Sequence, residues 1–347
     1  IMVSKPIAFI VGISGQDGAH LADHLLKSGY KVYGGARNEP NKMWRVDCLG
    51  IKDKIDFVDF HLEDYHNMID LFKKIQPNEI YNLAGESFVA DSFQFPNHTM
   101  EINTQGTVNI LEAVKLTSPN SKIFIASSSE IFGQNKKSDL LNEKSEKNPV
   151  NPYAISKLSA DYFVKLYREQ YGLFACSGIL FNHEGPLRSR RFVTRKITHN
   201  IARIKLGDQE GFELGNFSSA RDWGAAVDYV KAMHLMLQSD QPNDYIIASG
   251  KLTEIRKVLE IAANFVGFDP VFDGDGDKEI CIDKKSGNIL ASISSEYYRP
   301  FDTAPIIGDA SLIKETLGWS PEQTVEHLIH SMVEADLYLL EQRMLSI

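Results

Sequence analysis

Tyr153 and Lys157 stand four residues apart, so on a helix both side chains leave the same face. An ammonium beside a phenol favours the phenolate, which can take a proton from a hydroxyl as hydride leaves the same carbon. A Y-x-x-x-K spacing alone is common on helix surfaces, and its weight here comes from its company. Upstream, I-A-S-S-S-E-I-F-G puts Ser128 where a hydroxyl can bond the reacting oxygen, with Glu130 two residues on. That carboxylate offers what a simple oxidation does not need: a base for an acidic C-H beside a newly formed ketone. Without the Tyr and Lys, Ser127 to Ser129 would read as caps for the next segment and Glu130 as a solvated acid.

These groups need a scaffold and a redox partner, and the start of the chain supplies both signals. An apolar run, Ile7 to Val11, breaks into G-I-S-G-Q-D-G, and a helical pattern follows from Ala19. Strand, glycine turn and helix in that order bring backbone and helix N-H groups close to a dinucleotide pyrophosphate. Gly12, Gly15, Gln16, Asp17 and Gly18 are therefore expected at a cofactor. The second candidate strand ends Y-G-G-A-R-N, with Arg37 and no acid before Glu39. An arginine there accommodates the 2′-phosphate, which favours NADP. Leu62 and Leu83 fall near the ends of the third and fourth strands, where side chains would line the adenine and ribose.

The strands that would carry this site are Ile7 to Val11, Lys31 to Gly34, Ile55 to Asp59, Glu79 to Leu83, Lys122 to Ala126 and Ala175 to Leu180. Helical patterns lie between them at Leu21 to Ser28, Met68 to Ile75, Thr104 to Leu116 and Tyr153 to Tyr171, with Asn151-Pro152 as an entry to the last. The alternation predicts an α/β fold, a Rossmann-like doubly wound parallel sheet with a smaller C-terminal α/β substrate domain. The expected division is 1–180 for cofactor and 181–347 mainly for substrate, with parts of about 225–250 returning to the sheet. Beyond Leu180 the chain reads as loops rich in Arg, Gly and Asp, with a helix at Val227 to Leu237, a strand at Tyr245 to Ala248 and a helix at Ile255 to Val266. Asp269 to Ser286 is acidic and glycine-containing, and is expected to be an exposed loop.

The 347 residues suffice for a full core, and 43% apolar with 24% charged residues is ordinary for a globular enzyme. A net charge of -9 argues against a nucleic-acid surface. No apolar run reaches the roughly 18 residues of a membrane span, and no cleavable signal pattern surrounds Ile7 to Val11, so the cytoplasm is the expected compartment. Cys48, Cys176 and Cys281 are odd in number and far apart, which indicates neither a disulfide framework nor a metal site. Against the acidic background, the cationic cluster between Arg188 and Lys196 stands out.

Taken together, G-I-S-G-Q-D-G at Gly12, Y-N-L at Tyr81, S-S-S-E at Ser127 and P-Y-A-I-S-K at Pro152 resemble the extended short-chain dehydrogenases/reductases. G-I-L-F-N-H-E at Gly178, F-V-T-R-K-I at Phe192, L-G-N at Leu214, R-D-W-G at Arg221 and Y-Y-R-P at Tyr297 narrow the resemblance to the GDP-mannose 4,6-dehydratase family. It runs over nearly the whole chain. The resemblance implies Ser128 at a Ser/Thr position of the site, Glu130 as acid/base and Tyr153 with Lys157 as the oxidising pair. It also implies cofactor contacts from His183 and Arg188, and nucleotide-sugar contacts from Ser87, Asn182, Lys196, Arg221, Arg299 and Asp302. Guanidinium groups suit a dianionic diphosphate on chemical grounds as well. A homo-oligomer, dimer or tetramer, is implied, and no metal.

The chain departs from the family pattern where the sugar and the cofactor would lie. Gly85, Glu86, Ser87 and Phe88 replace a commoner A-Q-S-H, His61 precedes Leu62 in place of an acid, and Asn38 stands where a second arginine is usual. Gly185 follows H-E, and Ser189, Arg190 and Arg191 precede Phe192. No catalytic group is lost. The reading that follows is an NADP-dependent GDP-sugar 4,6-dehydratase acting on GDP-mannose or a relative such as a GDP-manno-heptose. A C4 epimerase or decarboxylase on the same scaffold, and a non-catalytic cofactor-binding protein, remain as alternatives.

Overall fold

The computed structural model describes residues 5–37, 42–133, 140–294 and 305–342. Seven parallel strands form the main sheet. In spatial order they are Tyr245–Ile247, Ala175–Leu180, Lys122–Ala126, Glu79–Asn82, Ile7–Val11, Lys31–Ala36 and Ile55–Asp59. Strand order reverses between Ile7–Val11 and Glu79–Asn82, the crevice where doubly wound sheets bind ligands. Ala8 to Val11 and all of Ala175–Leu180 are buried, which is why both read as continuous apolar runs rather than alternating ones. On one side of the sheet, Phe9 packs with Phe60 and Phe72, at centroid separations of 5.3 and 5.2 Å.

Helix Pro152–Tyr171 has complete punctuation. Asn151 Oδ1 accepts from Ala154 N at 2.7 Å, Pro152 opens the first turn, and Gly172 ends the helix at φ 67°. Helix Gln16–Lys27 begins three residues before the sequence pattern indicated, because the glycine turn itself supplies the N-cap, Gly15. Strand Lys31–Ala36 runs two residues past Gly34, and Gly106–Thr117 is preceded by a π-helical turn at Glu101–Gln105.

The chain divides into two compact units. The first comprises Ile1–Phe181, Ala226–Ile247 and Gly308–Ser320. The second comprises Asn182–Ala225, Ala248–Ile307 and Pro321–Ile347. It contains a three-stranded sheet (Asn182–Glu184, Ala220–Ala225, Leu252–Glu254) and a four-stranded one (Pro270–Asp273, Ile280–Asp283, Ile289–Ile293, Phe212–Leu214). Helices Val193–Leu206, Ile255–Phe265 and Val325–Glu341 pack on one another there.

Two sequence expectations are corrected in the second unit. Asp269 to Ser286 is not one exposed loop, since it contributes strands Pro270–Asp273 and Ile280–Asp283, paired antiparallel. Asp283 ties the open end of this pair by accepting from Asp269 N, and holds the turn toward Ile289–Ile293 by accepting from the backbone and hydroxyl of Ser286. Those bonds hold its carboxyl below the ordinary aspartate value, Ser286 contributing most. The Arg-rich stretch after Leu180 contains helix Val193–Leu206, whose buried face carries Arg195 and His199 and so hides the apolar period. Arg195 is fully buried and paired with Asp336 of Val325–Glu341 at 2.7 Å.

Candidate active site

The turns that follow Glu79–Asn82 and Lys122–Ala126, at the carboxyl edge of the main sheet, meet Lys157 of helix Pro152–Tyr171, and the glycine turn after Ile7–Val11 lies against Ala84. At Gly12, φ is +89°, and a Cβ would stand 2.7 Å from Ala84 N; at Gly18 it would stand 2.8 Å from the Ile13 Cα. Side chains are therefore excluded at these two positions. Gly15 caps helix Gln16–Lys27 with no side-chain hydrogen bond. Glycine cradle and helix N-terminus together fit a dinucleotide pyrophosphate. Arg45 donates to Ser14 O at 2.9 Å and pins the turn from outside, a role no local motif announces.

Arg37 is exposed just past the second strand, while Asn38 and Glu39 lie outside the described residues. Leu62 is buried in the core, packed where a Cβ on Gly106 would fall. Leu83 is half-buried beside Gly12, and Ser87 is exposed.

Lys157 is buried, and its Nζ donates to the carbonyl of Ala126 at 2.8 Å. It sits 5.9 Å from the centre of the Tyr153 ring, and a Cβ on Gly85 would lie 3.4 Å from it. Burial pushes the Lys157 ammonium down to about 8, partly offset by the charge of Asp161. Tyr153 is buried on the preceding turn of the same helix.

Ser128 does what the bland reading of the serines required: its Oγ accepts from Glu130 N at 3.2 Å and caps the short 3-10 turn Ser129–Phe132. Glu130 is nevertheless oriented. Asn151, buried at the start of the long helix, donates from Nδ2 to Glu130 Oε2 at 3.2 Å. Asn103, in the π-helical turn, is a further positioning residue missed in the sequence. It pairs with the backbone of Glu86 through both its amide atoms and donates to Ser156 Oγ at 3.0 Å. It thereby ties the 84–88 segment to the Tyr153-Lys157 helix, and π turns of this kind concentrate at functional sites. The Glu86 carboxylate lies 3.5 Å from His98.

The remaining candidates belong to the second unit. Asn182 and His183 lie on strand Asn182–Glu184, in register with Trp223 and Gly224. Arg188 is engaged by Glu184 at 3.1 Å and by the Phe192 ring at 3.5 Å. The Glu184 contact is one of charge rather than an aligned hydrogen bond. Arg195, unremarked in the sequence, donates to the carbonyls of Pro186 and Arg188 and so fixes the loop that carries Arg188. Half-buried Lys196 is shifted below the ordinary lysine value by burial, partly offset by Glu213. Arg221 is also half-buried and donates to Ala220 O. Arg299 and Asp302 lie outside the described residues. Among the described residues no group of three or more His, Cys, Asp or Glu side chains could hold a metal ion. The three cysteines are free.

Sheet order, glycine turn and the Tyr-Lys pair on one helix define a short-chain dehydrogenase/reductase. Likeness to solved structures is consistent with that fold. A UDP-glucose 4-epimerase from Thermotoga maritima superposes with a TM-score of 0.82 at 22% identity, over 96% of this chain and 99% of the other. RMD from Pseudomonas aeruginosa, complexed with NADPH, gives 0.77 at 23% over 96% and 99%. A dTDP-glucose 4,6-dehydratase from Bacillus anthracis, in complex with NAD, gives 0.79 at 20% over 98% of each.

Sequence relatives go further. The family profile for GDP-mannose 4,6 dehydratase matches residues 9–332. The GDP-mannose 4,6-dehydratase of Yersinia enterocolitica is 41% identical, over 97% of this chain and 95% of the relative, and the Homo sapiens one is 37% identical over 97% and 94%. The chain belongs to the GDP-mannose 4,6-dehydratase family.

Proposed function

We propose that the protein is a hydro-lyase, an NADP-dependent GDP-sugar 4,6-dehydratase forming a GDP-4-keto-6-deoxy sugar from GDP-mannose or a close relative. The observation that carries the reading is that Glu130, held by Asn151, shares the sheet's carboxyl edge with Tyr153 and Lys157. A carboxylate base stands with an oxidising pair, as elimination next to a transient ketone requires.

In this reading Tyr153 takes the proton of the C4 hydroxyl, with Ser128 bonding the same oxygen and Lys157 favouring the phenolate. Glu130 removes the proton at C5, which the C4 ketone acidifies, and delivers a proton to the departing C6 hydroxyl. The nicotinamide, when bound, supplies a reversible store for the hydride removed at C4 and returned at C6. Gly12 to Gly18 hold its pyrophosphate, and exposed Arg37 supports NADP over NAD.

The first unit is the proposed cofactor unit and the second the proposed nucleotide-sugar unit, with Asn182, Lys196 and Arg221 gripping the GDP part. His183 and Arg188 are proposed as cofactor contacts on the family resemblance. A homo-oligomer is proposed because helix Pro152–Tyr171 leaves Ile155, Tyr162 and Leu166 exposed, with Phe93 and Phe95 also exposed in and just after helix Val89–Gln94, which packs on it. The proposed compartment is the cytoplasm; no described helix is long and apolar enough to cross a membrane.

Mass spectrometry of products from individual GDP-sugars tests the reading. A product lighter by one water, with no accumulation of free NADPH, is expected. An unchanged mass, as for a C4 epimerase, or loss of carbon dioxide overturns it.

A further inference from the structure

Asp161 is a carboxylate that the reaction above does not use, one helical turn beyond Lys157 and two beyond Tyr153. As a residue it keeps some exposure, but its Oδ1 is out of reach of solvent and makes no aligned hydrogen bond, although the Ser177 hydroxyl is near enough to favour the ionised form. Its Oδ2 accepts from Ser127 Oγ at 2.5 Å. Ser127 directly follows Ala126, whose carbonyl takes the Lys157 ammonium. Two adjacent residues at the end of one strand therefore seat a cation and an anion one turn apart on one helix. An acid held out of water is costly to ionise unless a charge nearby compensates it.

We propose that Asp161 is a positioning residue for the Tyr153-Lys157 pair, its carboxylate acting as the internal counter-charge that keeps Lys157 cationic at the carbonyl of Ala126. The proposal rests on the assignment of Lys157 to the oxidising pair.

The surroundings of Asp161 agree with this role. Ser127 faces it from strand Lys122–Ala126 and the buried Ser177 from strand Ala175–Leu180; Ser177 Oγ has no aligned hydrogen bond. Asp244, which bonds Arg168 through both oxygens, and Lys147 act on it from the loops. Burial pushes the Asp161 carboxyl up to about 7, against the opposing pull of the Ser127 and Ser177 hydroxyls; Asp244 adds a smaller upward push and Lys157 a smaller downward one. The counter-charge is thus present above pH 7, the range in which the desolvated Lys157 would otherwise release its proton.

The experiment is an NMR titration of the full-length protein labelled with 13C at the lysine Cε, with the Lys157 signal assigned through Lys157→Arg. Asp161→Asn keeps the shape and an acceptor for Ser127 but removes the charge. The Lys157 midpoint is expected to fall by about one pH unit or more, the usual effect of losing a close opposite charge. In single-turnover oxidation of GDP-mannose the alkaline limb should move down by the same amount, with Kd for GDP unchanged. An unchanged Lys157 midpoint overturns the proposal. Should Asp161→Asn fail to fold, Ser127→Ala removes the bond that favours the ionised carboxylate, and an unmoved Lys157 midpoint there overturns the proposal equally. If no GDP-sugar is turned over by the parent protein, the reaction assignment falls while the titration still decides the pairing.

Discussion

Asn151 joins two structures at once: its Oδ1 caps helix Pro152–Tyr171 through Ala154 N at 2.7 Å, and its Nδ2 donates to Glu130 at 3.2 Å. The cap and the acid/base are therefore separable by mutation. Serine and aspartate cap helices about as well as asparagine, whereas alanine costs about 1 kcal/mol. Asn151→Ser should leave Tm nearly unchanged and slow the elimination step. Asn151→Asp should also keep the cap, but puts a like charge beside Glu130, so the acid limb of kcat should move to higher pH. Equal pH profiles for the parent and Asn151→Asp would show that Asn151 serves the helix alone.

Division of labour between Tyr153 and Glu130 gives a kinetic signature. Tyr153→Phe should block oxidation at C4, while Glu130→Gln should permit it and halt at elimination, each with a loss on the order of 10²-fold or more. A single-turnover absorbance trace checks this, since transient NADPH should build up only in the Glu130 variant. Failure of both at the first step would contradict the assigned roles.

In the proposed reading Arg37 alone favours NADP, because Asn38 stands where the family resemblance implies a second arginine. Arg37→Ala should weaken NADP binding roughly tenfold or more, the worth of one charged hydrogen bond, and leave NAD binding nearly untouched. Calorimetric titration of stripped protein with each nucleotide measures it; equal weakening means that Arg37 does not see the 2′-phosphate.

Substrate choice should follow the 84–88 segment, which Asn103 fastens and where Glu86 faces His98. GDP should inhibit competitively and UDP or dTDP poorly. Glu86→Gln combined with Phe88→His should change the kcat/KM ratio of GDP-mannose to bulkier GDP-sugars. An unchanged ratio would place that segment away from the sugar, and efficient turnover of a UDP-sugar would overturn the nucleotide assignment.

Asp161 also predicts a stability slope. Its folded pKa, about 7, exceeds its ordinary value of 3.8, so between those limits the folded state binds more protons at this site than the unfolded chain. By linkage, this contribution to stability is greatest below the ordinary value and is lost as pH rises toward 7. Thermal melts should show Asp161→Asn gaining on the parent across that window. A constant Tm difference from pH 4 to 7 would exclude the shift.

The elements that position the site were largely legible because they are locally punctuated. Asn151, Pro152 and Gly172 bound helix Pro152–Tyr171, and the glycine turn bounds the first strand. Val193–Leu206 was not legible, since a buried Arg195 looks like a surface charge until Asp336 arrives from 141 residues away. The strands between Asp269 and Ser286 were masked by acids that are turn ligands rather than solvated charge. The ties of Asn103 to Glu86, of Asn151 to Glu130 and of Asp161 to Ser127 were not legible: they exist only through partners brought by the fold, and a one-residue π insertion leaves no periodic trace.

The interleaving of the two units constrains how the protein can be made. Strand Tyr245–Ile247 completes the sheet beside Ala175–Leu180, and Trp319 donates to Asp228 O at 3.0 Å to fasten the returning helix. A ribosome that has released only the first 181 residues has released a sheet with an open edge, its unpaired N-H and C=O groups ready to pair with another chain. The first unit cannot close until Ser320 has emerged, so this fold leans on late, long-range pairing during synthesis and is slow by topology.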